Sequence, residues 1–197
     1  MKHLLRLLLL PLCLFACKKA AEPSCCAGEE ELAAASDRSL FQLTSTWTAQ
    51  STRTLHLRDL PGEVRVLAMI YTTCEYACPV ILADLKKVEA MLSPAQRQKV
   101  HFVLVTMDPT RDTVEVLAQY ARERELDPKR WTLLRGSADD TLELANVLGF
   151  KFKQVGKGFS HSNVFFVLDQ KGEVVHQQPG LQTGPAEPVT AIGRMLE

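Results

Sequence analysis

Two long apolar runs, residues 64–71 and 100–105, constrain this chain more than any other feature of it. Both are rich in Val, Leu, Ile, Met and Phe, and neither contains Gly or Pro. Such runs read as strands buried on both faces, the kind found in parallel sheets whose crossover helices cover them. Between the two, from Val80 onward, Ile81, Leu85, Val88 and Leu92 recur on one helical face until Ser93-Pro94 stops the pattern. A strand, a helix and a parallel strand in that order make one crossover unit.

The rest of the chain extends the same plan. Residues 41–44 read as an edge strand that pairs with 54–57 as a hairpin, and Asp59-Leu60-Pro61-Gly62 is turn chemistry. Asp112, with Glu115 three residues on, reads as the cap of a helix whose inner stripe is Val114, Leu117 and Ala121. Trp131-Thr132-Leu133-Leu134 is a short strand. Ser137 with Asp140 opens a helix that ends at Gly149. Residues 163–168 and 173–176 read as a hairpin around Asp169-Gln170-Lys171-Gly172, and 186–196 as a final helix. The expected fold is α/β and thioredoxin-like: a central mixed sheet flanked by helices, with an N-terminal hairpin extension.

The N-terminal part is of a different character. Lys2 and Arg6 flank a short apolar run that ends at Ala16, too short to span a bilayer and shaped like a secretory signal. Leu14-Phe15-Ala16-Cys17 resembles a bacterial lipobox, so residues 1–16 are expected to be a lipoprotein-type signal peptide and Cys17 the lipidated first residue of the mature protein. That predicts an exported protein anchored to a membrane of the cell envelope, facing the periplasm or the outer side. Residues 17–36 are small and charged and cannot bury enough surface to offset chain entropy, which makes them a flexible tether. Cys25 and Cys26 lie within it with no assignable role. Residues 37–197 remain as one domain. Lys plus Arg equals Asp plus Glu at 23 each, which leaves no electrostatic footprint for nucleic acid.

The chemistry concentrates at the end of the first apolar run, in Tyr71-Thr72-Thr73-Cys74-Glu75-Tyr76-Ala77-Cys78-Pro79. Two thiols at the mouth of a helix can close on each other as a disulfide or together on one soft metal ion. Read as helical, the four-residue offset puts their Cβ atoms about 5–6 Å apart, which suits a shared metal better than a relaxed disulfide. Pro79 is tolerated because the first helical turn has no partner for an N–H. The helix dipole and free N–H groups favour thiolate, the form that both attacks and ligates. The blander alternative is a structural disulfide or a pair of inert core thiols. A third donor is His161, in Gly156-Lys157-Gly158-Phe159-Ser160-His161-Ser162, a flexible loop that in a thioredoxin-like plan enters the late hairpin facing the cysteines.

Three motifs in order, the cysteine segment, Asp108-Pro109-Thr110-Arg111-Asp112-Thr113, and Ser160-His161-Ser162 with its following strand and Asp169-Gln170-Lys171-Gly172, resemble those of the Sco/SenC family of copper-binding proteins. The resemblance runs from about residue 39 to the end. It implies that Cys74, Cys78 and His161 hold copper, as Cu(I) and with Cu(II) accessible through the imidazole, and that Cys74 and Cys78 pair as a disulfide when oxidised. It further implies a copper chaperone that assists assembly of the CuA centre of cytochrome c oxidase, its partner being the subunit that carries CuA or another copper protein. The competing reading uses the same cysteines as a redox-active pair in a thiol-disulfide oxidoreductase acting on an exported partner. A peroxiredoxin-like peroxidase fits less well, because Tyr71 stands where a threonine is wanted. For Asp108, a candidate supporting group near the site, and Arg111, a candidate to pair with a carboxylate or contact a partner, a purely structural role is the better reading. His56, His101 and His176 are expected to be satisfied or surface histidines, Met107 to be core, and Trp47 and Trp131 carry no motif.

Overall fold

The computed structural model describes residues 38–197. The signal peptide 1–16, the tether 17–36, the lipidation site Cys17 and the pair Cys25 and Cys26 lie outside the described residues.

The strands are β1 (Trp47–Ala49), β2 (Thr54–Leu55), β3 (Val64–Ile70), β4 (Val100–Thr106), β5 (Trp131–Arg135), β6 (Phe152–Val155), β7 (Gly158–His161), β8 (Val164–Leu168) and β9 (Val174–Pro179). The helices are α1 (Ala77–Met91), α2 (Pro94–Lys99), α3 (Val114–Glu123), α4 (Ala138–Val147) and α5 (Ala186–Leu196). Seven strands form one mixed sheet in the order β2-β1-β5-β4-β3-β8-β9. β3, β4 and β5 run parallel at its centre, and β8 closes antiparallel on β3. Every residue of β3 and β4 is buried, as two-sided apolar strands require when helices flank the sheet. This is the thioredoxin-like plan.

The polar exceptions in these strands are met only in part, since Nε and Nη1 of Arg65 are buried without a hydrogen-bond partner among the described residues. The Arg65 guanidinium lies 5.0 Å from the Phe41 ring centroid and donates to the Leu60 carbonyl at 2.7 Å. His101 shares a 2.8 Å hydrogen bond with Thr132, and burial, assisted by the Arg65 charge, lowers its pKa to about 4. His56 and His176 are satisfied as expected, the first by the Ser45 carbonyl and the second by Gln178. Met107 is core. Trp131 stacks on Phe102 with centroids 4.5 Å apart and donates to Glu89 at 3.0 Å.

Four local expectations need correction. Residues 41–44 do not form the edge strand: Leu40–Gln42 is a 3-10 turn capped by Ser39, and the N-terminal hairpin pairs β1 with β2 instead. The Phe41 ring is committed to packing against Gly172 and Arg65, which removes it from any sheet edge. Ser93-Pro94 does end α1, but it also begins α2, because Ser93 forms a capping box with Gln96 and Pro94 occupies the first helical turn. Thr113, not Asp112, caps α3. The segment 156–162 is no flexible loop: most of it belongs to a second, two-stranded sheet in which β6 pairs antiparallel with β7, turning at Gly156 with φ of +59°.

Candidate metal centre

Cys74 lies in the turn that leaves β3, its N–H bonded to the Tyr71 carbonyl at 3.2 Å. Cys78 is the second residue of α1. The two are therefore not one turn apart on a single helix face. What joins them is a cap: the Cys78 N–H donates to the Cys74 sulfur at 3.3 Å, while Tyr76 at the helix start offers no side-chain cap of its own. A sulfur in the place of a capping oxygen gains the free N–H groups and dipole of the helix end.

That position separates the two thiols chemically. Burial raises the Cys74 pKa, but the N–H of Cys78, the His161 imidazole, the Cys78 thiol and the N–H of Tyr76 together more than offset it and bring it down to about 6. Cys78 is fully buried. Burial, then the Cys74 sulfur beside it and the charge of Asp112, push its pKa up. At neutral pH the pair thus holds one thiolate and one thiol, and both cysteines are free rather than bridged.

His161 is the last residue of β7 and aims its Nε2 at Cys78 Sγ from 3.9 Å. Its Nδ1 lies 2.8 Å from the Ser162 carbonyl. Since a carbonyl only accepts, Nδ1 carries a proton, and in the neutral ring it is then Nε2 that presents a lone pair to the sulfurs. Phe150 stacks on the imidazole at 6.1 Å and Tyr71 meets it edge-on at 5.9 Å. The three donor atoms all lie within 4.8 Å of one another. Ligands each bonded at about 2.0–2.3 Å to a common ion stand roughly 4 Å apart, so this triad fits one metal ion with small inward adjustments. Two sulfurs and one imidazole are a soft donor set. Cys74, His161, Glu75, Tyr76, Arg111 and Phe159 border an open cleft of about 600 Å³, which gives an incoming ligand access.

The structure brings together the three residues singled out from the sequence and adds others that spacing could not reveal. Asp112, fully buried, accepts hydrogen bonds from the Thr72 N–H at 3.0 Å, the Thr72 hydroxyl and the Thr106 hydroxyl. It anchors the cysteine loop instead of capping a helix. Asp108 pairs with Arg111, as expected of that arginine, and Arg111 reaches on to the Lys157 carbonyl. Tyr71 and Phe159 lie within the motif runs and Phe150 shortly before one, but nothing in the sequence assigned any of them a place beside the imidazole.

Comparison with known proteins agrees with this geometry. The family model for SCO1/SenC matches residues 33–197. A SCO1 protein homolog of Bacillus subtilis (strain 168) is 25% identical over 148 residues, covering 73% of this chain and 76% of its own. Among solved structures, a SCO1/SenC family lipoprotein from Bacillus anthracis superposes with a TM-score of 0.70 at 26% identity, over 77% of this chain and 92% of that one. The copper-bound ScoI of Bradyrhizobium japonicum shares the fold, with a TM-score of 0.66 at 21% identity over 77% of this chain and 96% of that one. A soft-donor triad at the mouth of α1 and a family match over the whole described domain lead to one conclusion: this chain belongs to the SCO1/SenC family.

Proposed function

We propose that this protein is a copper chaperone that binds one Cu(I) through Cys74, Cys78 and His161 and passes it to the CuA-bearing subunit of cytochrome c oxidase or to another copper protein. The observation that carries this reading is the convergence of two sulfurs and one lone-pair nitrogen within 4.8 Å beside an open cleft. Thiolates select Cu(I), and the imidazole also makes Cu(II) accessible. Three ligands leave a coordination position through which a recipient can take the ion by stepwise exchange, which a closed four-ligand site resists. Delivery to an exported copper site fits the lipoprotein-type N-terminus, with Cys17 as the anchor to a membrane of the envelope. The B. anthracis relative is itself described as a lipoprotein.

An anaerobic titration of the reduced protein with Cu(I) tests the ligand set. Wild type is expected to hold one equivalent against a chromophoric chelator, Cys74→Ser and Cys78→Ser none, and His161→Ala markedly less. Retention by His161→Ala equal to wild type in both copper oxidation states would remove the histidine from the site.

The unequal thiols favour a second reading. A thiolate at Cys74 beside a protonated Cys78 is also the arrangement of a thiol-disulfide oxidoreductase, in which Cys74 attacks a partner disulfide and Cys78 resolves the mixed disulfide. The partner gains two thiols and this pair becomes the Cys74–Cys78 disulfide. Turnover of a protein disulfide, undiminished by His161→Ala, would promote this reading over the first.

A further inference from the structure

Among the described residues, the β6–β7 hairpin that carries His161 pairs only with itself and joins no strand of the main sheet. At its base the Ser162 N–H reaches the Lys151 carbonyl at 2.8 Å, and the Lys151 N–H reaches the Ser162 hydroxyl at 3.0 Å. Those bonds close the hairpin but do not fix its tilt. Something else must decide where the imidazole stands relative to the sulfurs.

Two side chains from outside the hairpin grip it near the tip. Arg111, in the connection between β4 and α3, pairs with Asp108, donates to the Lys157 carbonyl and lies 5.8 Å from the Phe159 ring centroid. Tyr71, at the end of β3, receives the Phe159 N–H at 3.5 Å and meets the Phe159 ring edge-on at 5.3 Å. Gly158 permits this approach, since a Cβ there would stand 3.2 Å from the Tyr71 hydroxyl. The arginine grip continues into the cysteine loop. The Asp108 N–H donates to the Thr106 hydroxyl at 2.9 Å, that hydroxyl donates to Asp112, and Asp112 accepts from the Thr72 N–H. An unbroken polar chain therefore runs from the hairpin tip to the residue two before Cys74.

We propose that Arg111 and Tyr71 are positioning residues which latch the β6–β7 hairpin and so hold the His161 imidazole over the cysteine pair. The inference rests on the reading of His161 as the third copper ligand. Phe159 and His161 lie two residues apart on one face of β7, so a displacement of Phe159 carries the imidazole with it. With the latch open, the two cysteines keep their ion while the histidine leaves, which lowers the coordination number without unfolding the domain. Arginine suits the task because its planar fork serves two acceptors and a ring at once, which a lysine cannot do.

The test uses full-length protein with Arg111→Gln and Tyr71→Phe, each alone and combined with His161→Ala. Loss of an outer partner of a ligand is expected to weaken Cu(I) retention against a chromophoric chelator by about 10- to 100-fold. In the His161→Ala background the same substitutions should cause no further loss, because they act through that ligand. Losses that multiply in the double variants, or no loss in the single ones, would overturn the latch. A metal-free readout separates this from the copper reading: amide hydrogen exchange at Phe159 and His161 should speed up in Arg111→Gln while β3 stays unchanged. Unchanged exchange would sink the latch even if copper binds as proposed. Should wild type retain no Cu(I), the copper reading fails and the exchange data still decide the latch.

Discussion

Lowering the pH from 7 to 5 should silence Cys74 by an amount fixed by the helix-mouth N–H groups and the His161 imidazole around its sulfur. With a pKa of about 6, the thiolate fraction falls from about 90% at pH 7 to about 10% at pH 5. Alkylation by iodoacetamide consumes only thiolate, so its rate on the reduced, metal-free protein should fall about tenfold. An ordinary thiol, at 9.0, would lose about a hundredfold over the same interval and start from about 1% thiolate at pH 7. Mass spectrometry of the peptide spanning both cysteines should show Cys74 modified first, because burial keeps Cys78 protonated and covered. The same shift has a stability consequence with a definite sign. Between about pH 6 and 9 the unfolded chain binds the proton that folded Cys74 has lost, so this contribution is complete above pH 9 and gone below about 6. A rate that keeps climbing tenfold per unit from pH 7 to 8, or labelling of Cys78 ahead of Cys74, would refute the capping account.

Two further predictions concern the scaffold. Buried His101, with its pKa lowered to about 4, stays neutral in the folded protein while the unfolded chain takes up a proton below about pH 6.5, so stability falls as pH drops from 6.5 towards 4. Linkage puts that loss at about 2 kcal/mol between pH 7 and 5, and urea midpoints at the two pH values should converge when His101→Gln is compared with wild type; an undiminished pH response would assign the effect elsewhere. Gly172 has φ of +78° and would place a Cβ 2.7 Å from the Phe41 ring. Gly172→Ala should therefore destabilise by about 2–4 kcal/mol through backbone strain and overpacking, and a urea midpoint equal to wild type would show that Phe41 moves aside without cost.

Local patterns made much of the fold legible. The runs that became β3 and β4, the Ser137 and Asp140 capping box of α4 and the β8–β9 hairpin all express propensities confined to a few neighbouring residues. Where local signals were ambiguous, packing settled them. Phe41 could serve an edge strand or a core contact, and Gly172 with Arg65 made it the latter. Asp112 has the right type and spacing for a helix cap, yet hydroxyls from two other strand ends claimed its carboxylate. The hairpin bearing His161 looks like a Gly-rich loop because its strands are short, partly exposed and, among the described residues, pair with no other strand.

The donors were legible from residue types alone, two cysteines at a strand-to-helix junction and one histidine far along the chain, because donor chemistry belongs to the side chain itself. How they meet depends on the folded backbone. The cap that splits the two thiols and the carbonyl that orients the imidazole join near neighbours in a backbone shaped by the fold, while the arginine and tyrosine that hold the hairpin in place reach across 46 and 88 residues. No local periodicity encodes those last two contacts, since they exist only once the fold has brought the hairpin beside the ends of β3 and β4.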